Sequence, residues 1–176
     1  MGTAAHRKFR IRQPRLSDFD RLLAIENRSF RSHRFTARDF KYHYENPSSI
    51  FAVVEVSGDL VGYIAGIIYH GARLRTAKIY SMAVMPGLRH KGIGSSLLKH
   101  FETKARADKC HSITLEVRKT NRPARALYER FGYTVEEVLP NYYARGSDGL
   151  RMRKLLVKGA HTHDLTKNAR ELRGPH

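Results

Sequence analysis

The sequence has one cysteine and no tryptophan among its 176 residues. Because Cys110 has no partner, an internal disulfide is excluded, and this usage is typical of a reducing, cytoplasmic compartment. No Cys or His cluster has the spacing of a zinc site, so no metal is predicted. No apolar run approaches the roughly 20 residues of a membrane span. No apolar segment follows the charged N-terminus, which predicts no signal peptide.

Acidic residues are scarce. The chain holds 16 Asp and Glu against 33 Lys and Arg, a formal net charge of +17. A positive field of this kind attracts polyanions over long distances. Three partners fit the charge: an anionic cofactor, an acidic substrate, or nucleic acid, including the ribosome. A well-solvated basic surface without such a partner is the alternative, and charge alone does not choose between them.

The hydrophobic pattern predicts one domain over residues 9–157, with a flexible start (1–8) and a polar, disordered tail (158–176). Seven strands are predicted over residues 9–12, 50–56, 60–69, 73–84, 111–117, 133–138 and 150–157. Four helices are predicted, of which the first is capped by Ser17 or Asp18 and extends to Phe30, the second begins after Thr36, the third begins at Ile93, and the fourth spans 123–131.

This element order predicts the fold class. Consecutive strands after residue 50 suit antiparallel pairing, whereas the strand–helix–strand unit over 74–117 suits a parallel crossover. We therefore expect an α/β (α+β) fold with a single mixed sheet. A long loop through Tyr142 and Tyr143 is predicted to join the last two strands.

A glycine-containing loop, Arg89-His90-Lys91-Gly92-Ile93-Gly94, lies between a predicted strand and a predicted helix. The first turn of a helix has unpaired N–H groups and a dipole that favours anions. Glycines let a phosphate approach the backbone closely, and Arg89 and Lys91 add positive charge. The segment therefore predicts a phosphate-binding loop, although an ordinary glycine-rich helix start has the same pattern.

Two common phosphate motifs are excluded. The Gly-x4-Gly-Lys-Ser/Thr motif of P-loop proteins is absent. The dinucleotide-binding motif requires a third glycine three residues after the second, and that position is Leu97. What remains is the pattern Arg/Gln-x-x-Gly-x-Gly/Ala.

Further segments follow in a fixed order: Met82-Ala83-Val84, the glycine loop, Leu115-Glu116-Val117-Arg118, Asn121, Ala126-Leu127-Tyr128, Phe131-Gly132-Tyr133 and Asn141-Tyr142-Tyr143. In this order the chain resembles the Gcn5-related N-acetyltransferase superfamily over residues 9–157. Within it, the chain is similar to the protein N-terminal acetyltransferases, and especially to the ribosomal-protein-alanine N-acetyltransferase branch.

The resemblance implies acetyl-coenzyme A as cofactor, bound where the two central strands splay apart near Val84 and Val117. It implies that the backbone of the strand end pairs with the pantetheine arm and that the loop binds the pyrophosphate. The implied cofactor residues are Met82, Ala83, Val84, Arg89, His90, Lys91, Gly92, Ile93, Gly94, Ser95, Asn121 and Tyr128.

The resemblance also implies a catalytic pair. Glu116 matches the general base, and its side chain is expected on the opposite face of the strand from Leu115 and Val117. Tyr128 matches the general acid that protonates the leaving thiolate. By position alone, the alternative for Glu116 is an ordinary solvent-facing glutamate on a half-buried strand, and the alternative for Tyr128 is a core aromatic residue.

On the acceptor side, the resemblance assigns Tyr142 and Tyr143 to substrate backbone binding, and Glu26 and Phe30 to the opposite wall of the peptide site; exposed loop aromatics are the alternative for the tyrosine pair. The chain departs from its branch after Phe30, where 31–35 is basic and lacks the usual Pro-Trp pair. A basic connector at the peptide mouth would suit an acidic N-terminal segment.

We therefore expect an enzyme that acetylates the N-terminal α-amino group of a protein, with a ribosomal protein as one candidate substrate. The first alternative is acetylation of a small amine, such as a polyamine or an aminoglycoside, which the positive charge disfavours. The second is a ribosome- or nucleic-acid-binding protein without activity, which the charge favours but which leaves Glu116 and Tyr128 unexplained.

Overall fold

A computed structural model describes residues 9–30 and 32–156 of the chain. The predicted flexible start (1–8) and polar tail (158–176) lie outside the described residues, as do Arg31 and Val157. No helix within the described part is long and apolar enough to cross a membrane.

The described residues form one sheet of seven strands, which confirms the predicted mixed sheet. The strands are β1 (Phe9–Arg12), β2 (Ser49–Val56), β3 (Asp59–His70), β4 (Arg75–Val84), β5 (Ser112–Arg118), β6 (Thr134–Ala144) and β7 (Ser147–Leu155). Their order across the sheet is β1-β2-β3-β4-β5-β7-β6. The central pair, β4 and β5, is parallel and the other neighbours are antiparallel.

Four α-helices cover the described sheet on its two faces. They are α1 (Phe19–Ser29), α2 (Ala37–Glu45), α3 (Ile93–Ala107) and α4 (Arg122–Arg130), with two short 3-10 turns at Leu16–Asp18 and Pro86–Leu88. Apolar side chains of α1 and α2 pack on one face, and those of α3 and α4 on the other. Each face therefore has its own hydrophobic core, and the sheet separates them.

A β-bulge in β4 changes which face its side chains point to. Ala65 pairs with Ser81, but Gly66 pairs with Ile79, so Tyr80 is an extra residue in the strand. Before the bulge, Ile79 belongs to the α3–α4 core; after it, Ala83 belongs to the α1–α2 core. An extra residue shifts the two-residue alternation by one. As a result, Tyr80 and Ser81 both lie on the α1–α2 side.

The start of α1 differs from the prediction. Neither Ser17 nor Asp18 caps the helix with its side chain; the chain instead forms a 3-10 turn over Leu16–Asp18 that leads into Phe19. The Asp18 carboxylate accepts hydrogen bonds from the Arg12 guanidinium at 2.7 and 3.0 Å and from the Arg15 amide at 2.6 Å. Because the Asp18 carboxylate is bound to Arg12, it does not cap the first turn of α1. The helix also ends before Phe30, which is extended.

The predicted long loop through Tyr142 and Tyr143 is also wrong. Both tyrosines lie in β6, which continues to Ala144 and turns directly into β7 at Ser147. Pro140 and Asn141 suggested a loop, but the Asn141 amide donates to Asp148 Oδ1 at 3.1 Å and its side chain accepts from the Gly146 amide at 2.6 Å. These bonds hold a bulged segment against β7 where backbone pairing is interrupted.

Candidate active site

The two central strands separate beyond the middle of the sheet. β4 and β5 pair only where Thr76–Ile79 runs beside Ser112–Leu115, so the edges of Tyr80–Val84 and Glu116–Arg118 diverge. A cavity of about 600 Å³, the central cavity, occupies this splay. It is lined by Ser29, Phe30, Ser32, His33, Ile79, Tyr80, Ser81, Met82, Leu115, Glu116, Val117, Arg118, Thr120, Asn121, Ala124, Tyr128 and Tyr143. Since these residues come from both faces, the cavity passes through the sheet.

Glu116 lies in the wall of the central cavity on the side of α1 and α2, opposite the core residues Leu115 and Val117. Its side chain is only 8% exposed and is held by two cations. Lys78 Nζ lies 3.0 Å from Glu116 Oε2, and Arg151 Nε lies 3.2 Å from Oε1. A carboxylate fixed in this way has lone pairs left to accept a proton or a hydrogen bond from a molecule in the cavity.

Tyr128 lines the same cavity from the opposite face of the sheet, where α4 packs. Its ring makes an edge contact with Tyr133 at 5.8 Å between centroids. Burial raises the pKa of Tyr128 to about 12. The phenol therefore keeps its proton at neutral pH and can donate it as a hydrogen bond.

Asn121 precedes α4 and also lines the cavity. Its side-chain oxygen accepts a hydrogen bond from the Ala124 amide at 3.3 Å. This is an N-cap, which helps fix the start of the helix that carries Tyr128. The side-chain amide nitrogen is not used by the cap.

The glycine loop leads into α3 with two residues of positive φ, His90 at +61° and Gly92 at +78°. Ser96 donates the first bond to the Gly92 carbonyl, at 3.0 Å, so the amides of Ile93, Gly94 and Ser95 precede the first helical hydrogen bond. A Cβ added to Gly92 would meet nothing within 4 Å. The amide groups of a helix N-terminus therefore border open space, which suits an anion.

The two basic side chains of the loop help to shape it. Arg89 Nε donates to the Val84 carbonyl at 3.1 Å, and Lys91 Nζ donates to the Gly87 carbonyl at 3.4 Å. Arg89 thus ties the loop to the end of β4, while both residues remain exposed. Their charges add to the helix dipole at this end of the splay.

The predicted strand-end residues, Met82, Ala83 and Val84, lie between the central cavity and the glycine loop. Met82 lines the cavity, while Ala83 and Val84 are buried in the two cores. Their strand pairs with β3 on one side only, because β5 has diverged on the other. Backbone groups of this free edge, apart from the Val84 carbonyl that accepts from Arg89, are available to a bound molecule.

Of the four residues predicted for the acceptor side, two reach the cavity. Phe30 and Tyr143 line it. Tyr142 is 44% exposed and stacks edge-on against Tyr143 at 5.0 Å, outside the lining. Glu26 also lies outside the lining. It is buried and accepts a hydrogen bond from the Phe35 amide in the segment of residues 32–36, which we call the α1–α2 connector.

Arg118 joins the two sides of the cavity mouth. Its guanidinium donates to Ser32 Oγ in the connector at 2.9 Å and to Ser147 Oγ in β7. It also lies 4.5 Å from the centroid of the Tyr143 ring, and His33 packs edge-on against that ring at 5.5 Å. The connector and the β6–β7 hairpin therefore meet over the splay.

Four residues in or beside the cavity were not predicted from the sequence: Lys78, Ser81, Arg118 and Arg151. Lys78 and Arg151 are separated from Glu116 by 38 and 35 positions, so no local pattern relates them. Ser81 faces the α1–α2 side only because of the bulge at Tyr80. Within the described residues, no group of three His, Cys, Asp or Glu side chains could hold a metal ion.

Comparison with known proteins agrees with this geometry. Residues 19–133 match the acetyltransferase (GNAT) family. An N-alpha-acetyltransferase of Sulfolobus acidocaldarius is 34% identical over 154 residues, which cover 82% of this chain and 90% of the relative. The crystal structure of Ard1 from Thermoplasma volcanium has 31% identity and a TM-score of 0.76, covering 85% of this chain and 99% of that one.

The ribosomal-protein-S18-alanine N-acetyltransferase of Escherichia coli shares the fold. Its structure has a TM-score of 0.74 at 21% identity, and the match covers 88% of this chain and 98% of that chain. The family match extends over more than half of the chain and includes both sides of the splay. The protein therefore belongs to the acetyltransferase (GNAT) family and is an acyltransferase.

Proposed function

We propose that this protein transfers the acetyl group of acetyl-coenzyme A to the N-terminal α-amino group of a protein. The observation that carries the proposal is the central cavity, which crosses the sheet with Glu116 on one face and Tyr128 on the other. The N-alpha-acetyltransferase name of a relative at 34% identity supports the acceptor class.

The splayed side of the sheet fits coenzyme A. Acetyl-coenzyme A supplies the acetyl group as a thioester. The open space in front of Gly92 and the amides of Ile93, Gly94 and Ser95 suit its pyrophosphate. Arg89, His90 and Lys91 complete the loop. The free backbone edge of Met82–Val84 would bind the pantetheine arm. The side-chain nitrogen of Asn121, which takes no part in the N-cap, would bind it as well.

Glu116 is the proposed proton acceptor for the incoming ammonium group. An amine attacks a thioester only in its neutral form, so a carboxylate in the cavity wall must take the proton, directly or through a water. Lys78 and Arg151 hold both oxygens of Glu116 in place.

Tyr128 is the proposed proton donor on the cofactor face. A phenol whose pKa is about 12 is protonated throughout the physiological range. Its hydroxyl can therefore donate to the sulfur as negative charge develops there. Tyr128 and Glu116 approach the cavity from opposite faces, so Glu116 can accept a proton from the amine while Tyr128 donates one to the sulfur. Because the amine attacks the thioester directly, no covalent enzyme intermediate is required.

The acceptor enters on the connector side, between Phe30 and Tyr143, with Tyr142 and Glu26 supporting that wall. Arg118 lines this part of the cavity, and Lys78 lies behind it as the ion-pair partner of Glu116; both are positively charged. A polycationic amine would be repelled here, whereas a peptide with acidic side chains would be attracted. This distribution favours a protein N-terminus over a polyamine or an aminoglycoside.

The experiment is acetylation of short peptides followed by mass spectrometry. Peptides that begin with Ala, Ser or Glu should gain one acetyl group on the α-amine in the presence of acetyl-coenzyme A. A peptide with a blocked N-terminus and a free lysine, and a polyamine, serve as competing acceptors. Acetylation confined to the lysine or the polyamine would contradict the proposal.

The proposed roles predict the effect of two substitutions. Glu116→Gln and Tyr128→Phe should each lower kcat by about 100-fold, the usual effect of losing a general acid or base. Glu129→Gln, on the exposed side of α4, and Tyr133→Phe, behind Tyr128, are the matched controls and should retain activity. Unchanged turnover in both Glu116→Gln and Tyr128→Phe would remove the mechanism.

A further inference from the structure

Three polar side chains form a hydrogen-bonded chain that leads away from the central cavity, and the mechanism above does not use it. Tyr63 is fully buried, and its hydroxyl donates to Glu26 Oε2. The same hydroxyl lies 2.7 Å from Ser81 Oγ. Glu26 is 1% exposed, whereas Ser81 lines the cavity. The chain therefore connects a buried carboxylate to the cavity wall.

The hydrogen atoms of this chain have one arrangement when Glu26 is ionised. A carboxylate only accepts hydrogen bonds, and a phenol has one hydrogen to donate. Tyr63 gives that hydrogen to Glu26, so its oxygen must accept the hydrogen of Ser81. The Ser81 hydroxyl then has only lone pairs to offer to the cavity. Ionised Glu26 thus makes Ser81 a hydrogen-bond acceptor.

The bulge in β4 is what gives Ser81 this position. Tyr80 and Ser81 both lie on the α1–α2 side, which is the face that carries Glu116. An acceptor on this wall suits an ammonium group, which carries three N–H donors. One of these donors can be taken by Glu116, which leaves others that need partners in the cavity wall.

We propose that Ser81 Oγ accepts a hydrogen bond from the acceptor α-ammonium group, and that Tyr63 and Glu26 are positioning residues that fix Ser81 in its accepting state. The inference rests on the proposed function, because it concerns the amine that the enzyme acetylates. Ser81 contacts the substrate, while the other two act through it.

Glu26 is itself held by the connector. The Phe35 amide donates to Glu26 Oε1 at 2.7 Å, so the oxygen that faces Tyr63 is Oε2. Burial raises the pKa of Glu26, and the charge of Asp39 on α2 acts in the same direction, while Tyr63, Phe35 and Arg34 oppose it. The accepting state of Ser81 is present above this raised pKa. It is lost as the pH falls through it, because protonated Glu26 can donate to Tyr63 and reverse the chain.

Substitutions separate this role from a structural one. In Glu26→Gln, the Phe35 amide fixes the amide oxygen, so the amide nitrogen faces Tyr63 as a donor. The chain then reverses, and Ser81 donates into the cavity. The KM for a peptide should rise more than about tenfold, beyond the roughly tenfold expected for Ser81→Ala, which only loses one hydrogen bond to a charged group.

Tyr63→Phe disconnects Ser81 and leaves its hydroxyl free to rotate. The peptide KM should therefore rise by about threefold, less than in the other two variants. In the double variant with Glu26→Gln and Tyr63→Phe, reversal can no longer reach Ser81. Its peptide KM should fall back towards that of Tyr63→Phe, which is a rescue that loss of folding would not produce.

The measurements are peptide KM and acetyl-coenzyme A KM for each variant, from pH 5 to pH 7, where the α-amine stays protonated. The acetyl-coenzyme A KM should not change. Wild-type peptide KM should rise as the pH falls, and Glu26→Gln should remove this dependence. Glu102→Gln, a buried glutamate paired with Lys154 on the opposite face, is the control and should leave the peptide KM unchanged.

An unchanged peptide KM in Ser81→Ala, or a double variant that is worse than Glu26→Gln, would overturn the inference. Either result requires that the wild-type protein acetylate the peptide, so it leaves the proposed function standing. Absence of wild-type peptide acetylation would instead contradict the proposed function itself.

Discussion

A single methyl group at Gly92 tests the phosphate-binding role of the loop. Gly92 has φ +78°, and an added Cβ would meet no protein atom within 4 Å. Gly92→Ala therefore causes no internal clash, and its cost to the free energy of unfolding is the left-handed backbone strain of alanine, about 1 kcal/mol. The methyl group would occupy the space in front of the first turn of α3.

The same methyl group should weaken binding of acetyl-coenzyme A. A phosphate oxygen kept away from one backbone amide loses a hydrogen bond to a charged group, which is worth about 1.5–3 kcal/mol. The KM for acetyl-coenzyme A should accordingly rise about 10- to 100-fold. The peptide KM should stay near the wild-type value, because the acceptor side of the cavity is not altered.

Gly58→Ala is the matched control. Gly58 has φ +86° in the two-residue turn between β2 and β3, and a Cβ there also meets nothing within 4 Å. Both variants should lose about 1 kcal/mol of stability, a fall in Tm of roughly 2–4 °C. Only Gly92→Ala should change the acetyl-coenzyme A KM in steady-state assays. An equal KM in the two variants would refute the phosphate-binding role.

Three other predictions follow from packing, the cavity mouth and burial. Gly66→Ala places a Cβ 2.5 Å from the Phe101 ring, and urea denaturation should show a loss of about 3 kcal/mol. Arg118→Ala removes the contact with Tyr143 at the mouth; peptide KM should rise severalfold while acetyl-coenzyme A KM is constant, and equal changes in both would contradict it. Burial lowers the pKa of His43 to about 4, so stability should fall by up to about 3 kcal/mol as the pH drops from 6.5 to 4, and His43→Gln should flatten this dependence.

The sign of the His43 effect follows from proton binding. The unfolded histidine, with a pKa near 6.5, binds a proton before the folded one does as the pH falls. Stability therefore increases with pH across this window. A thermal-denaturation series with the same slope in wild type and His43→Gln would show that another group is responsible.

The fold was largely predictable because its signals are local. The alternating apolar residues of β2 and β3, and the Ser57-Gly58 turn between them, determine a hairpin within a short stretch of chain. Helix α2 is capped as predicted, since the Thr36 side chain accepts from the Asp39 amide. A strand–helix–strand unit through α3 made the parallel central pair predictable as well.

The errors arose where distant contacts override local preference. Asp18 has the composition of a cap, but the Arg12 guanidinium engages it. Pro140 and Asn141 are typical of a loop, but side-chain bonds to Asp148 and Gly146 keep the segment in β6. The partners of Asp18 and Asn141 cannot be found from spacing along the chain, because they depend on how the chain folds in three dimensions.

The candidate site was predictable only for residues that local sequence motifs indicate. Motifs flank Glu116 and Tyr128 in the sequence, and the structure places both in the lining of the central cavity. Glu26 was predicted to shape the peptide wall, but nothing in its local sequence indicated Tyr63 and Ser81 as its partners. That chain is created by pairing β3 with β4 and by the bulge between them.

The bulge at Tyr80 sets the face to which each later side chain of β4 points. Tyr80 is half exposed, and its side chain lines the central cavity. If β4 kept Tyr80 but had no bulge, the two-residue alternation would turn Ser81 and every following side chain to the other face. Ser81 would enter the α3–α4 core and Met82 would leave it. One residue of extra length thus places Ser81 on the face that carries Glu116, while Val84 stays in the α3–α4 core.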